Sequence, residues 1–202
     1  MQYAFSSYSP LVRRFLLGVL LDALGNGLTL SILVIYLHQV RGLSLFAASA
    51  ILSWMAFIGL IVSPIVGTMV DKIGPKKVLL FGITLSIIGT LGWILAESLL
   101  SALLVAASVS VATAATWPPQ TTMMARMVAE EERQRLFGLQ FMMMNLGLGL
   151  GGLFSATIVD VKHPVSFHYL FILDAISFAV YFLFIASMRG IGGRITEELH
   201  ED

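Results

Sequence analysis

The chain has 202 residues, of which 57% are hydrophobic and only 12% are charged, and its mean hydropathy is +0.90. Soluble domains carry about a quarter charged residues, so this composition indicates a membrane protein. The formal net charge of zero argues against a nucleic-acid partner. The absence of cysteine excludes disulfides, thiolate metal sites and cysteine nucleophiles.

Six apolar runs are long enough to cross a bilayer as helices, which requires about 20 residues each. They cover residues 15–37, 45–70, 78–96, 99–124, 136–159 and 167–188. Arg13 and Arg14 precede a first run of full spanning length, so we expect it to stay in the membrane rather than to be a cleaved signal. The turn at Glu97-Ser98 is so short that the third and fourth helices must be antiparallel neighbours.

Ten of the twelve Lys and Arg residues fall on one side of the membrane if the N-terminus is cytoplasmic. This bias predicts that both termini are inside. The inner residues are Arg13, Arg14, Lys72, Lys76, Lys77, Arg126, Arg133, Arg135, Arg189 and Arg194, and the outer ones are Arg41 and Lys162. Tyr36, Trp93 and Tyr169 are expected at the outer membrane interface. The predicted fold is an all-α integral membrane protein, a bundle of six transmembrane helices at 15–188 between a cytoplasmic N-terminus (1–14) and a cytoplasmic tail (189–202).

The loop after the second helix carries a specific motif, G-x-x-x-D-[RK]-x-G-x-[RK]-[RK], from Gly67 to Lys77. It resembles the loop between helices 2 and 3 of major facilitator superfamily transporters, whose fold has two six-helix halves. The alternative is an ordinary basic loop that sets topology. The resemblance implies a gate that locks one conformational state, formed by Gly67, Asp71, Lys72, Gly74, Lys76 and Lys77. Arg126 and Arg133 are the candidate partners of Asp71 within the chain.

Asp22 lies inside the first apolar run, where a charge costs about 2.5–3.5 kcal/mol on insertion scales. Asn26 and Thr29 follow at helical spacing and extend one polar stripe. The segment 21–27 resembles the first helix of the drug:proton antiporter branch, which implies that Asp22 is a proton or cationic-substrate site. The alternative is an acid that only fixes packing.

Asp174 begins a segment, D-A-x-S-F, that resembles helix 6 of macrolide- and siderophore-type exporters. Asp174 is a second candidate for proton or substrate coupling. Because helix 6 is peripheral in this fold, we expect Asp174 instead to hydrogen-bond a neighbouring helix. In helix 5, Leu148 stands where the antiporter signature has proline. Four further polar or aromatic residues are predicted to line a substrate cavity: Trp117, Gln120, Gln140 and Asn145.

The sequence contains no nucleotide-binding loop, no catalytic triad and no metal cluster, so we expect neither an enzyme nor a cofactor. The predicted function is secondary active transport of a small molecule, as efflux of an amphipathic compound by alternating access, with proton coupling left open. The alternative is a truncated or half-length membrane protein that binds or regulates another transporter. The expected partner is a second six-helix half, either a C-terminal half or a second copy, in the inner or plasma membrane.

Overall fold

The computed structural model describes residues 5–188, and these residues fold into six long helices without strands. The predicted tail at 189–202, with Arg189 and Arg194, lies outside the described residues. The helices are α1 (Pro10–Leu30), α2 (Leu45–Ile73), α3 (Pro75–Gly92), α4 (Leu99–Ala125), α5 (Glu130–Ile158) and α6 (Val165–Ser187). Each is long and apolar enough to cross a membrane, which confirms the six-helix prediction.

Two helices extend well beyond their predicted bounds. α1 continues past Leu30 through a short helix (Leu33–Ile35) and a π-helical turn (Tyr36–Val40), so the whole span is Pro10–Val40. α5 begins at Glu130 rather than at residue 136, because glutamates are good helix formers and three of them occupy its first turn. Hydropathy locates the part of a helix in lipid and does not locate its polar end.

Local sequence accounts for where the helices start. Ser9 and Ser44 cap α1 and α2 by accepting from backbone N–H groups three residues ahead. Gly74, at φ 88°, separates α2 from α3 in a conformation that favours glycine, and Pro75 opens α3. Ser98 and Ser101 form a capping box at the start of α4, which makes the turn after α3 tight.

The helices pack in the order α2–α4–α3–α6–α1–α5, so each of the inner four has two main neighbours. The predicted pairing of α3 with α4 is confirmed. The α1–α5 contact is close because glycines face each other: a Cβ on Gly27 would lie 2.5 Å from the Leu148 carbonyl oxygen. A Cβ on Gly151 would lie 2.8 Å from the Leu28 nitrogen. Small residues let backbones approach in this way in membranes.

The two helices at the ends of this order leave broad apolar surfaces uncovered. Only 11% of the most apolar stretch of α2 and 17% of that of α5 is buried, against 39–44% in the other four helices. Large exposed side chains on these two helices include Phe46, Phe57, Leu60, Phe141, Leu153 and Phe154. The six helices therefore bury one side of α2 and α5 and present the other outward.

We call the end of the bundle opposite the start of α1 the outer end. There, Tyr36 connects the end of the first span to the end of α3. Its hydroxyl donates to the Trp93 carbonyl at 3.0 Å and accepts from Arg41 Nε at 2.8 Å, and Arg41 also donates to the Ile94 carbonyl. Tyr36 and Trp93 are 0% and 3% exposed. Both rings are therefore packed inside the bundle and do not face outward, whereas Tyr169 is 59% exposed. Their position at the outer membrane interface stays a prediction.

The outer loop between α5 and α6 is organised by one carboxylate. Asp160 accepts from the Lys162 N–H at 2.8 Å and is hydrogen-bonded to His163 Nδ1 at 2.7 Å. The bond from His163 holds the pKa of Asp160 below its usual value. These bonds fix the short connection from which α6 enters the bundle.

Candidate functional site

A cavity of about 390 Å³ lies inside the bundle, lined by residues from all six helices. It falls in the size range of sites for drug-sized ligands. Six of the sequence-predicted site residues line it: Asp22, Asn26, Thr29, Trp117, Gln120 and Asp174. The polar stripe of α1 and the candidate residues of α4 and α6 therefore meet at one place.

Asp22 faces this cavity without a polar partner for one of its oxygens. Oδ1 is shielded from solvent and accepts no hydrogen bond from the described residues. Asn26, one turn later, donates from Nδ2 to the backbone carbonyl of Asp22 at 2.9 Å, so its amide is held against its own helix. An acid in this state has a hydrogen-bonding capacity that the protein itself does not use.

Asp174 is buried between three helices, with 1% of its surface exposed. Its Oδ2 accepts from Thr29 of α1 at 2.9 Å and from Thr90 of α3 at 3.3 Å. The hydrogen bond to a neighbouring helix expected from the sequence is therefore present. A Cβ on Gly25 would collide with Asp174 Oδ1 and Ser177 Oγ, so a larger residue there would force these two side chains to move. Oδ1 itself accepts no hydrogen bond from the described residues.

Several lining residues were missed by sequence reasoning. They are hydroxyl and aromatic side chains within apolar runs: Ser86, Thr90, Thr113, Thr116, Trp93 and Phe178. A threonine in such a run has no distinctive spacing, and Thr116, for example, satisfies its hydroxyl on the Ala112 carbonyl at 2.8 Å. Only the packing of α3 and α4 against α1 reveals that these side chains share a cavity.

Two predicted cavity residues on α5 lie outside the lining. Asn145 is exposed on another face of the helix and donates to the Phe141 carbonyl at 2.7 Å. Gln140 is buried, at 6% exposed, but is two turns nearer the inner end than Gly147, which packs on α1. Gln140 and Asn145 therefore do not share the cavity with Asp22 and Asp174.

The loop predicted to form a gate has the expected turn at Gly74 but not the expected contacts. Asp71 is exposed at the end of α2 and has no hydrogen bond or ion pair with any described residue. Arg133 donates instead to the Ala125 carbonyl at 3.1 Å. No atom approaches within 4 Å of the Cβ position of Gly67, so nothing in the described residues uses a close approach there.

Lys76 has a structural contact that the sequence did not predict. Its Nζ donates to the Ala186 carbonyl at 3.1 Å and to the Met188 carbonyl, where α6 ends. A cation at a helix C-terminus satisfies unpaired carbonyls and interacts favourably with the helix dipole. The motif therefore ties the start of α3 to the end of α6. Lys72, in the last turn of α2, and Lys77, in the first turn of α3, are both exposed.

The cavity carries acids without bases. Among the described residues that line it, none is Lys, Arg or His. The described residues also contain no cluster of three His, Cys, Asp or Glu side chains that could hold a metal ion. The arrangement can therefore bind protons or an organic ligand through Asp22 and Asp174, with apolar and aromatic contacts around them.

Comparisons with known proteins agree on a family. The sequence profile described as Major Facilitator Superfamily matches residues 15–194. The "Uncharacterized MFS-type transporter YhhS" of Salmonella typhimurium is 38% identical over 71 residues, and that of Escherichia coli K12 is 37% identical over 70. These matches cover 35% of this chain and 18% or 17% of the relative, so the aligned part is under a fifth of each relative's length.

Solved structures show the same fold. A POT family transporter in complex with 5-aminolevulinic acid superposes with a TM-score of 0.80 at 19% identity, covering 91% of this chain and 40% of that one. A peptide transporter POT in complex with sulfate gives a TM-score of 0.78 at 20% identity, covering 99% and 46%. This chain thus spans less than half of each of these structures.

Proposed function

We propose that this chain, which belongs to the Major Facilitator Superfamily, carries a small molecule across the membrane by alternating access. The observation that supports this most is the cavity of about 390 Å³ inside the bundle, where Asp22 and Asp174 both line the wall. Ionisable residues inside a membrane are costly and commonly mark a substrate or proton pathway. Transporters of this fold place their sites near the bilayer midplane.

An amphipathic compound leaving the cell is the proposed substrate. The lining combines acids, amides and hydroxyls with rings and aliphatic side chains such as Trp117, Phe178 and Leu33. Such a surface can bind a ligand that has one polar end and an apolar body, because the polar groups contact the polar end and the apolar side chains contact the body. Asp22 would carry the proton that couples efflux to the gradient, because its Oδ1 has no competing hydrogen bond in the described residues.

A second six-helix body, either a C-terminal half or a second copy of this chain, is the proposed partner. It would cover the outward faces of α2 and α5, the two helices whose most apolar stretches are only 11% and 17% buried, and would close the cavity from the other side. The same faces would serve the alternative function, in which the chain binds and regulates another transporter without transporting. The proposed location is the inner or plasma membrane.

The test is flux in reconstituted vesicles. The full chain is incorporated into liposomes that contain a fluorescent amphipathic dye, a pH gradient is imposed, and dye movement is followed with time. Transport predicts saturable, gradient-dependent flux that protein-free vesicles lack. If purified protein of confirmed fold gives the same dye movement as empty liposomes, the regulatory alternative is favoured instead.

Asp71→Asn is expected to slow this flux without changing its final extent. Asp71 sits in the proposed gating loop, exposed and unpaired among the described residues, so its charge is available to a partner half. Loss of a latch changes the rate at which the two states interconvert, whereas the gradient sets the end point. We expect initial rates about tenfold lower, a loss worth roughly 1.4 kcal/mol in the barrier, and an unchanged plateau.

Glu131→Gln is the matched control, because it also removes one exposed acid at the inner end. Equal initial rates for Asp71→Asn and Glu131→Gln would show that Asp71 has no gating role. A lowered plateau for Asp71→Asn would indicate that Asp71 takes part in coupling transport to the proton gradient and not in gating.

A further inference from the structure

We propose that Tyr181 and Tyr8, together with bound water, form a proton route between Asp22 and the inner end of the bundle, where α1 starts. The inference rests on the proposed proton coupling through Asp22, but the proton movement that it predicts can be measured without any substrate. It depends on buried polar atoms without partners and on the apolar layer in which the two tyrosines lie.

Four buried side-chain atoms have no hydrogen-bond partner among the described residues: the hydroxyls of Tyr8 and Tyr181, and Oδ1 of Asp22 and of Asp174. Tyr181 is 0% exposed and Tyr8 is 6% exposed. A buried hydroxyl without a partner is costly, and phenylalanine would fill nearly the same space without that cost. The two phenols therefore have a hydrogen-bonding capacity that the packing of the bundle does not use.

Three of these atoms follow one another along α1 toward the inner end. A Cβ on Gly18 would lie 2.7 Å from the Tyr181 ring, so this ring packs on α1 one turn before Asp22. Tyr8 precedes the first residue of the helix. The order from the cavity to the inner end is therefore Asp22, Tyr181 and Tyr8.

An apolar layer separates the cavity from the inner end. Its buried members come from the inner parts of α1, α3, α4, α5 and α6 and include Phe15, Met124 and Ile185. A charged species cannot cross such a layer without polar groups to solvate it. Tyr8 and Tyr181 are the members of this cluster that carry a hydroxyl, so they are its candidates for passing a proton.

Gln120 connects Tyr181 to the cavity. It lines the cavity with Asp22, is 4% exposed and lies within two turns of the inner end of α4. Asp22 and Gln120 both act electrostatically on the Tyr181 hydroxyl, although neither forms a hydrogen bond with it. A buried water needs space and two or more polar partners. The cavity supplies the space, and Asp22, Gln120 and Tyr181 supply the partners.

Tyr8 connects the route to the inner side. Its ring belongs to the buried cluster, whereas its chain neighbours Ser6, Ser7 and Ser9 are exposed. A proton that enters here moves by transfer along hydrogen bonds. Each hydroxyl or water accepts one proton and releases another, so no group on the route keeps a charge and nothing is oxidised or reduced.

Asp22 is where the proton stops. Its Oδ1 is the carboxyl oxygen without a partner, so it can take the proton and form an O–H bond. The titratable side chains that act on Asp22 or are acted on by it are Asp174 and Tyr181, both of α6. No described residue that lines the cavity is Lys, Arg or His, so no base there competes for the proton.

The experiment measures how fast Asp22 takes up a proton from each side of the membrane, without substrate. The full chain is placed in vesicles with its inner end facing the bulk solution in one preparation and the vesicle lumen in the other. Infrared spectroscopy follows the band of the protonated Asp22 carboxyl, identified by its loss in Asp22→Asn, after the pH of the bulk is lowered. Tyr169→Phe is the matched control, because it is the same substitution on the same helix at a residue that is 59% exposed.

With the inner end facing the bulk, we expect Tyr181→Phe to slow proton uptake by about tenfold, the effect of losing one hydrogen bond of the route. Tyr8→Phe should slow it as well, and Tyr169→Phe should leave it unchanged. With the outer end facing the bulk, all variants should match the unsubstituted protein. Tyr181→Phe removes a hydroxyl without a partner, so its unfolding midpoint should not fall. Tyr8→Phe carries the test if Tyr181→Phe does not fold.

Equal uptake from the inner side by Tyr181→Phe and the unsubstituted protein would overturn the inference. Equal slowing from both sides would also overturn it, because Tyr181 would then act on Asp22 itself and not on the route. An Asp22 band that is absent at every pH would do the same, since Asp22 would then hold no proton.

Failure of this inference and failure of transport have different signatures. Gradient-driven dye flux in vesicles, together with equal proton uptake by all variants, would leave the transport function standing and reject the route. Slowing from the inner side alone, without flux of any dye, would support the route and reject transport.

Discussion

Replacing Asp22 with asparagine is expected to abolish gradient-driven accumulation while leaving the fold intact. Asp22 is the acid in the α1 stripe whose Oδ1 has no partner in the described residues. If it carries the coupled proton, a gradient of two pH units supports about hundredfold accumulation per proton, since each unit is worth about 1.4 kcal/mol. Asparagine cannot exchange a proton, so the accumulation ratio should fall to about one.

The measurement is the steady-state ratio of substrate inside and outside vesicles, with a known pH gradient and equal amounts of incorporated protein. Asp71→Asn is the control, because the gating role proposed for Asp71 would alter how fast the plateau is reached and not its height. An Asp22→Asn protein that still accumulates substrate in proportion to the pH gradient would remove Asp22 from the coupling step.

Replacing Gly151 with alanine is expected to destabilise the bundle by about 1–3 kcal/mol, the usual range for an overfilled contact. An added Cβ would lie 2.8 Å from the Leu28 nitrogen and 2.9 Å from the Gly27 carbonyl carbon, and it would also meet the Leu24 carbonyl oxygen. These are backbone atoms of α1, so no side chain can rotate away and the two helices must separate. The measurement is the unfolding midpoint in detergent, followed by helical circular dichroism.

Gly149→Ala is the matched control two residues away on the same helix. No atom lies within 4 Å of its Cβ position, so alanine there adds no clash. Alanine also favours a helix over glycine by up to about 1 kcal/mol, so the control should be neutral or slightly stabilised. Equal midpoints for the two variants would mean that the α1–α5 contact is looser than described.

The spans of the bundle were predictable because lipid imposes a length on apolar helices. All six runs from the sequence correspond to helices, and the main error was at α5, which starts at Glu130. A helix need not be apolar where it leaves the membrane, so hydropathy could not detect the turns from Glu130 onwards. The inner position of both termini stays a prediction, because nothing in the fold itself distinguishes the two sides of a membrane.

Only some of the residues that line the cavity were predictable from the sequence. Success depended on knowing which face of each helix turns toward the cavity. Asp22, Asn26 and Thr29 stand out because they interrupt an apolar helix at regular spacing, and all three line the cavity. Asn145 was misplaced because glycines of α5 turn toward α1, which puts Asn145 on another face. That rotation follows from packing between helices and is not visible in a single helix.

The contacts of the loop at Gly67–Lys77 were the least predictable. Its spacing suggested an acid paired with an arginine, yet Asp71 has no partner among the described residues and Lys76 binds the end of α6. Sequence spacing relates residues within one segment, whereas Lys76 and Ala186 are 110 positions apart. Asp71 therefore keeps an exposed charge that no described residue pairs with.

Access to the cavity from both sides of the membrane is the most direct test of alternating access. The protein has no cysteine, so Thr113→Cys places a single thiol in the cavity lining. Lys77→Cys and Lys162→Cys serve as controls for the inner and outer side. In vesicles of defined orientation, we expect a membrane-impermeant thiol reagent to label position 113 from either side, position 77 only from inside and position 162 only from outside. Labelling of position 113 from one side alone, with and without substrate, would contradict the account.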